Sequence, residues 1–285
     1  MKKFLTGPAR FFRLALAIAV ALGVVFVATQ ARAQQNGTKL DAPVPAQAPA
    51  PARSPAPASA TKASILSKAA VSYYILQSRG LKSFQCDVQP NWAQIVTDTD
   101  QLAAVNQVEF SAAIDDQGGV QVAAFLPGGA TIDPSLSQIV GGLQQTITGF
   151  FQTWNTFVLS PLLPQPDDTA IGFSSQADGY HFGKQSQNMS VDLVVTKNAL
   201  LTEMKVVMPT ETVVLKPGFI ATDKGLLLIS TSSDLNNGAQ KVDFQLQYQE
   251  VDGFEMPVMA AYQVTLPNQV VSINLSLTDY KIVKQ

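Results

Sequence analysis

Hydrophobic and polar positions alternate through most of the chain between residues 170 and 285. This period of two is typical of β-strands that bury one face. Short turn sequences rich in Asp, Asn and Gly, such as Asp178-Gly179 and Asp252-Gly253, separate many of these segments and favour antiparallel neighbours. The pattern predicts a meander of successive strands, at 170–175, 179–184, 189–196, 199–208, 211–221, 225–233, 240–250, 256–266 and 269–282.

Residues 134–160 have the period of a helix instead. Asp133-Pro134 is a typical helix start, with an N-cap followed by proline in the first turn, and Pro161 ends the segment. No Lys, Arg, Asp or Glu occurs from Pro134 to Pro164. Apolar side chains recur at spacings of three and four and form one broad stripe, which comprises Leu136, Ile139, Val140, Leu143, Ile147, Phe150, Phe151, Trp154, Phe157 and Val158.

The segment before this helix combines short helices and strands. Ile65, Ala69, Tyr73 and Leu76 share one helical face, and Gly80 follows as a stop. The further elements predicted are a strand containing Phe84, Cys86 and Val88, a helix within 92–105, and a hairpin of 108–114 and 120–126.

Together these elements predict an α+β protein, mainly antiparallel β, in which a long apolar helix covers the concave face of a curved sheet. Several strands, such as the one with Val194-Val195, are apolar at consecutive positions, which is compatible with a sheet covered on both faces. The helix either completes a closed core or forms the lid of a pocket for an acyl chain or similar ligand. The candidate lining and lid residues are Leu143, Ile147, Phe150, Phe151, Trp154 and Phe157.

Residues 1–33 have the features of a bacterial export signal. The chain begins Met1-Lys2-Lys3, an apolar run extends over 14–28, and Ala31-Arg32-Ala33 is a pattern that signal peptidase accepts. The run is shorter than the roughly 18 residues of a spanning helix. Two alternatives stay open, cleavage after Ala33 or retention as a membrane anchor through residues 11–28.

Residues 34–60 are predicted to be a disordered linker, followed by one globular domain over 61–285. Ala, Pro, Ser and Gln dominate the linker, and such a segment buries little and favours extended polyproline geometry. At about 3.1 Å per residue it reaches on the order of 75 Å. It is either a spacer that holds the domain away from a membrane or a tail without a role of its own.

The charge of the chain argues against nucleic acid as a partner. Of its 19 Lys and Arg, five lie within residues 1–33, so the remainder has 14 basic and 21 acidic side chains and a formal charge of −7. Affinity for nucleic acid comes mainly from basic side chains that neutralise phosphates. We therefore expect no nucleic-acid binding.

The sequence offers few groups for catalysis. His181 is the only histidine and lies between Tyr180 and Phe182 in a predicted strand, which favours a structural role. Cys86 is the only cysteine, so it forms no internal disulfide, and we expect it to be buried. No glycine-flanked serine motif or phosphate-binding loop occurs. We therefore predict a protein that is not an enzyme and has no catalytic residues, metal site or cofactor.

Two short segments carry a family resemblance. Tyr248–Pro257 (YQEVDGFEMP) and Leu277–Ile282 (LTDYKI) resemble the C-terminal strands of the LolA-like, lipoprotein-sorting superfamily. The resemblance implies an unclosed β-barrel with helices in its opening, which binds lipoprotein acyl chains or other lipids in the periplasm. The lipoprotein carriers of that superfamily use an arginine within the barrel to govern opening, whereas beyond residue 60 this chain has only Arg79.

The expected function is non-catalytic binding of a lipid, a lipoprotein acyl chain or a similar apolar ligand. The expected location is the periplasm, either free or anchored to the inner membrane. The alternative is a scaffold or interaction subunit of an envelope complex, with a closed core, no ligand and an envelope protein as its partner.

Overall fold

A computed structural model describes residues 61–186, 189–235 and 238–285. The predicted signal segment and linker lie outside the described residues. The domain is an α+β structure whose main element is one antiparallel, unclosed sheet of twelve strands. These are β1 (Leu81–Pro90), β2 (Glu109–Ile114), β3 (Val120–Phe125), β4 (Gly172–Ser175), β5 (Tyr180–Gln185), β6 (Ser190–Val195), β7 (Leu201–Val207), β8 (Thr212–Thr222), β9 (Gly225–Leu235), β10 (Gln240–Val251), β11 (Phe254–Leu266) and β12 (Gln269–Lys284).

The strand order is β3-β2-β1-β12-β11-β10-β9-β8-β7-β6-β5-β4. Strands β4 to β12 form the predicted meander, in which each strand pairs with the next along the chain. The first three strands join it through β1, which pairs with β12 in register from Phe84 opposite Ile282 to Val88 opposite Leu277. Strands β3 and β4 are therefore the two free edges of the sheet.

Within the described residues, three α-helices accompany the sheet: α1 (Lys62–Ser72), α2 (Thr99–Val105) and α3 (Ser137–Val158). The predicted long helix is α3, and one 3₁₀ turn, Pro134–Leu136, leads into it. The predicted cap is also present, since Asp133 Oδ1 accepts a hydrogen bond from the backbone N of Ser135 over 2.8 Å. Because α3 lies in the chain between β3 and β4, it occupies the connection between the two free edges.

The first helix is shorter than predicted, because Tyr73 and Leu76 lie beyond its end at Ser72. Tyr73 has extended geometry, and its hydroxyl accepts a hydrogen bond from the N of Leu201 (2.6 Å) and donates one to the O of Ala199 (3.1 Å). The backbone N of Tyr74 donates to the O of Leu226 (3.0 Å) and that of Leu76 to the O of Val158 (2.8 Å), so bonds to distant elements replace the helical bonds that the local spacing predicts.

The helix predicted within 92–105 is also only partly correct. A 3₁₀ turn spans Trp92–Gln94, and α2 starts at Thr99. Asp98 precedes α2, and its Oδ1 accepts a hydrogen bond from the N of Gln101 over 2.9 Å. An N-cap inside the predicted helix thus starts a new helix there.

The core lies on the concave face of the sheet, between the strands and the helices. Of the apolar side chains at consecutive strand positions, Val194 and Val195 are both buried, as expected, whereas Val207, Ile229 and Val270 are exposed on the convex face. Burial on both faces is therefore local. Within the described ranges, none of the helices combines the length and apolar content that crossing a membrane requires.

Candidate functional site

Helix α3 fills the concave face of the sheet. On one side, its Phe150 ring packs against Phe244 of β10 with centroids 5.5 Å apart. On the other side, Phe84 of β1 contacts Phe151 and Trp154 at 6.1 and 5.9 Å. The six predicted lining residues are brought together in this core and are at most 5% exposed; they are Leu143, Ile147, Phe150, Phe151, Trp154 and Phe157.

Few polar contacts hold α3 against the sheet. Trp154 Nε1 donates to the hydroxyl of Tyr248 (2.9 Å), and Gln144 Nε2 donates to the backbone O of Val122 on the free edge β3 (2.6 Å). Ion pairs cannot contribute, because the helix has no charged residue. The position of α3 therefore depends mainly on apolar packing.

Two polar atoms of α3 are buried without a hydrogen-bond partner, namely Gln152 Oε1 and Asn155 Oδ1. A buried polar atom without a partner costs about 1–3 kcal/mol. The concave face therefore packs well against the apolar side chains of α3 but offers no hydrogen bonds to these two side-chain oxygens.

Glycine and proline residues flank α3 on both sides. The turn before it contains Gly128 and Gly129 with φ of 76° and 75°, a conformation that other residues rarely adopt. Pro161 and Pro164 follow its C-terminal end. Among the described residues, the segments that join α3 to β3 and β4 contain no regular element other than the 3₁₀ turns Pro127–Gly129 and Pro134–Leu136.

A small cavity of about 20 Å³ lies between α3 and strands β8 to β11, room for roughly one water molecule. We call it the hydroxyl pocket, because three of its lining residues are Thr153, Ser233 and Tyr262. The other five are apolar, namely Val213, Leu215, Leu235, Val242 and Phe244.

Two of the three hydroxyl residues that line this pocket have no hydrogen-bond partner within the described part of the chain. Ser233 and Tyr262 are only 7% and 4% exposed, and neither makes a hydrogen bond to another described residue. Burial raises the pKa of Tyr262, so its phenol is protonated at neutral pH. Thr153, in contrast, donates to the O of Gly149 within α3 (2.9 Å). The pocket therefore offers two free donors, both uncharged.

Charged side chains of the neighbouring strands lie on the opposite face. Lys216 pairs with Asp234 at 3.7 Å, and Lys241 pairs with Asp243 at 3.1 Å. These residues alternate along β8 to β10 with the residues that line the hydroxyl pocket, so they project from the convex face. None of the eight lining residues is charged.

The hydroxyl pocket was not predicted from the sequence, which directed attention to the apolar stripe of α3. A signal exists in β9, where Thr231 and Ser233 take inward positions that alternation assigns to apolar residues. Tyr262 gave no such signal, because an aromatic residue suits an inward position in any strand.

His181 lies outside this site, on the convex side of the edge strands. Its Nδ1 is 2.8 Å from Asp192 Oδ2 and its Nε2 is 3.0 Å from Asp178 Oδ1. Both ring nitrogens are thus engaged by carboxylates. Cys86 is buried as expected. Among the residues that the structure describes, no cluster of three or more His, Cys, Asp or Glu side chains could hold a metal ion.

The fold and site define a class: an α+β protein with an unclosed antiparallel sheet, whose concave face is filled by an uncharged helix. Comparison of the chain with models of known protein families finds no match, and comparison with curated proteins finds none either.

Proposed function

We propose that this is a non-catalytic binding protein of the bacterial cell envelope, whose ligand is a lipid, a lipoprotein acyl chain or a similar apolar molecule. In this proposal α3 is a displaceable plug that yields the concave face to the ligand. The observation that carries it is the uncharged 22-residue helix that fills the opening of an unclosed sheet.

The energetics of α3 favour exchange with an apolar ligand over simple opening. Leaving the concave face empty would expose aromatic side chains, each worth about 1.5–3 kcal/mol when buried. A ligand that covers the same surface restores most of the free energy gained by burying these side chains. The unpartnered atoms of Gln152 and Asn155 would gain water on displacement, which lowers the cost of moving α3.

The family resemblance and the export signal support the same proposal. The export signal supports a periplasmic location for the domain, free or anchored. Arg79 is exposed, its Nη2 contacts the backbone O of Lys224 and its Cζ lies 4.5 Å from the Tyr74 ring centre, so it is not the arginine within the barrel that the resemblance implies for the carriers. We therefore infer an opening mechanism that depends on apolar packing of α3 and not on an arginine within the barrel.

Native mass spectrometry of the full chain, purified from a bacterial envelope, tests the proposal. We expect an adduct of lipid mass that denaturation removes. Hydrogen exchange provides a second readout, since α3 amides should exchange at a different rate when a fluorescent fatty-acyl probe is bound.

A matched pair of variants separates binding from stability. Trp154→Ala changes the plug, whereas Trp92→Ala removes an equally buried indole that lies outside α3. Both should destabilise the fold by about 3–5 kcal/mol, but only the first should alter probe affinity. Absence of any lipid adduct together with absence of probe binding would refute the proposal.

The second candidate is a scaffold or interaction subunit of an envelope complex. The complete burial of the six α3 residues and the small volume of the hydroxyl pocket favour it, as do the free edges β3 and β4. It predicts a clean protein mass, slow exchange in α3 under all conditions, and a protein partner that crosslinks to β3 or β4.

A further inference from the structure

Ser233 and Tyr262 present an arrangement that a closed core does not need. Both side chains are more than nine-tenths buried, both line the hydroxyl pocket, and neither hydroxyl makes a hydrogen bond to another residue that the structure describes. Buried polar groups in folded proteins are nearly always paired, with protein or with ordered water. Two free hydroxyls at one cavity therefore indicate a site for a polar atom that the protein itself does not supply.

The surroundings restrict that polar atom to an uncharged one. The wall of the pocket is Val213, Leu215, Leu235, Val242 and Phe244. The nearest lysines along these strands, Lys216 and Lys241, project from the convex face and are paired with aspartates. A carboxylate or phosphate in the pocket would be desolvated with no cation beside it, which is strongly unfavourable.

We propose that the hydroxyl pocket binds the polar, uncharged end of the apolar ligand, such as the carbonyl of an ester or the hydroxyl of a long-chain alcohol. This inference rests on the proposed function and adds the class of ligand. Ser233 and Tyr262 donate hydrogen bonds to the ligand oxygen, and the alkyl chain extends along the surface that α3 vacates. Anionic lipids of the same chain length are excluded unless their charge stays outside.

A binding series with one chain length tests this selectivity. The probes are monopalmitoylglycerol, hexadecanol, palmitate and hexadecane, each used below its aggregation concentration to displace a fluorescent acyl probe from the full-length protein at pH 8. We expect the ester and the alcohol to bind at least about 100-fold more tightly than palmitate, because the carboxylate has no buried counter-ion. They should also bind about 5- to 10-fold more tightly than hexadecane, which makes no hydrogen bond.

Conservative variants assign the selectivity to the pocket. Tyr262→Phe and Ser233→Ala each remove one unpartnered hydroxyl, so the fold should keep its stability, and each should weaken ester and alcohol binding about 5-fold without changing hexadecane. Ser232→Ala is the control, because Ser232 lies next to Ser233 on the convex face. It should change no affinity.

The outcomes separate this inference from the proposed function. If no probe binds, hexadecane included, the proposed function fails and this inference with it. If palmitate binds as tightly as the ester, the inference is wrong while apolar binding stands. If hexadecane binds as tightly as the ester, and the Ser233 and Tyr262 variants change no affinity, the pocket holds only a water molecule. The inference is then likewise wrong.

Discussion

The indole Nε1 of Trp154 donates a hydrogen bond to the hydroxyl of Tyr248 over 2.9 Å, and this bond joins α3 to β10 inside the core. Trp154 is fully buried and Tyr248 is half-buried, and desolvation raises the pKa of Tyr248 above its usual range. This bond is a polar contact between α3 and the middle of the sheet, where the surrounding packing is mainly apolar.

Removal of this bond should destabilise the protein measurably. Tyr248→Phe leaves the buried indole Nε1 of Trp154 unpaired, which should lower the free energy of unfolding by about 1–3 kcal/mol. Trp154→Phe leaves the half-buried hydroxyl of Tyr248 without this partner and should also lower it. Urea denaturation of both single variants and the double variant gives the coupling, which we expect to be about 1 kcal/mol.

Trp92 supplies the control for that measurement. Its Nε1 is buried without a hydrogen-bond partner, so Trp92→Phe makes the same change in shape but breaks no hydrogen bond. If Trp92→Phe lowers the free energy of unfolding as much as Trp154→Phe does, packing alone accounts for the effect.

Gly225→Ala should destabilise the protein more than Gly253→Ala. Both glycines have positive φ, 119° and 89°, so alanine is strained at each by about 1–2 kcal/mol. At Gly225 a Cβ would also lie 3.0 Å from the backbone O of Ser72, whereas at Gly253 nothing lies within 4 Å. We expect Gly225→Ala to lower the unfolding free energy by roughly 2–4 kcal/mol in total, measured by urea denaturation. Equal losses would show that the β8–β9 turn and the end of α1 adjust freely.

The His181 cluster should make stability depend on pH. Burial acts to lower the pKa of His181, but hydrogen bonds with Asp178 and Asp192 outweigh it and raise the pKa above its usual value. The hydrogen bond from His181 lowers the pKa of Asp178. Because the pKa of His181 is higher in the folded protein, its protonation stabilises the fold. This contribution is complete below the pKa of the unfolded chain, about 6.5, and is lost as pH rises through the pKa of the folded protein. Because the pKa of Asp178 is lower in the folded protein, its ionised carboxylate stabilises the fold above about pH 3.8. This contribution is lost as pH falls through the pKa of the folded protein.

The cluster should therefore stabilise most between about pH 4 and 6.5. We expect wild type to exceed His181→Gln by about 0.5–1 kcal/mol at pH 5.5 and by less at pH 8.5, measured by urea denaturation at each pH. A difference that grows as pH rises would contradict the assigned hydrogen bonds.

Cys86 should react with thiol reagents only when the protein opens. Burial raises the pKa of Cys86 to about 12 and removes the sulfur from solvent, so the reactive thiolate is both scarce and inaccessible. Labelling of the native protein should be at least about 1,000-fold slower than labelling in urea. Rapid labelling without urea would show that the core beneath α3 opens readily.

The sequence predicts the strands and α3 well because their signals are local. Each turn with Asp, Asn or Gly ends a strand where its neighbour begins, so the order from β4 to β12 follows from chain order alone. The end of α1 could not be predicted in this way, since the bonds of Tyr73 to Ala199 and Leu201 are set by tertiary structure.

Part of the candidate site could likewise be predicted from the sequence and part could not. The burial of Phe150 and Trp154 follows from the helical stripe, but the free hydroxyls of Ser233 and Tyr262 depend on where α3 leaves a gap. Such a gap is a property of packing in three dimensions, and alternation along one strand does not contain it.

The pairing of β1 with β12 has a consequence for the order of events in biosynthesis. The two strands lie far apart in the sequence, with Phe84 opposite Ile282, so β1 to β3 cannot join the rest of the sheet until β12 has emerged. Contacts this distant in sequence form slowly. During synthesis from the N-terminus, the apolar α3 would therefore be present and uncovered before β12 exists, and holdase chaperones would have their longest opportunity in that interval.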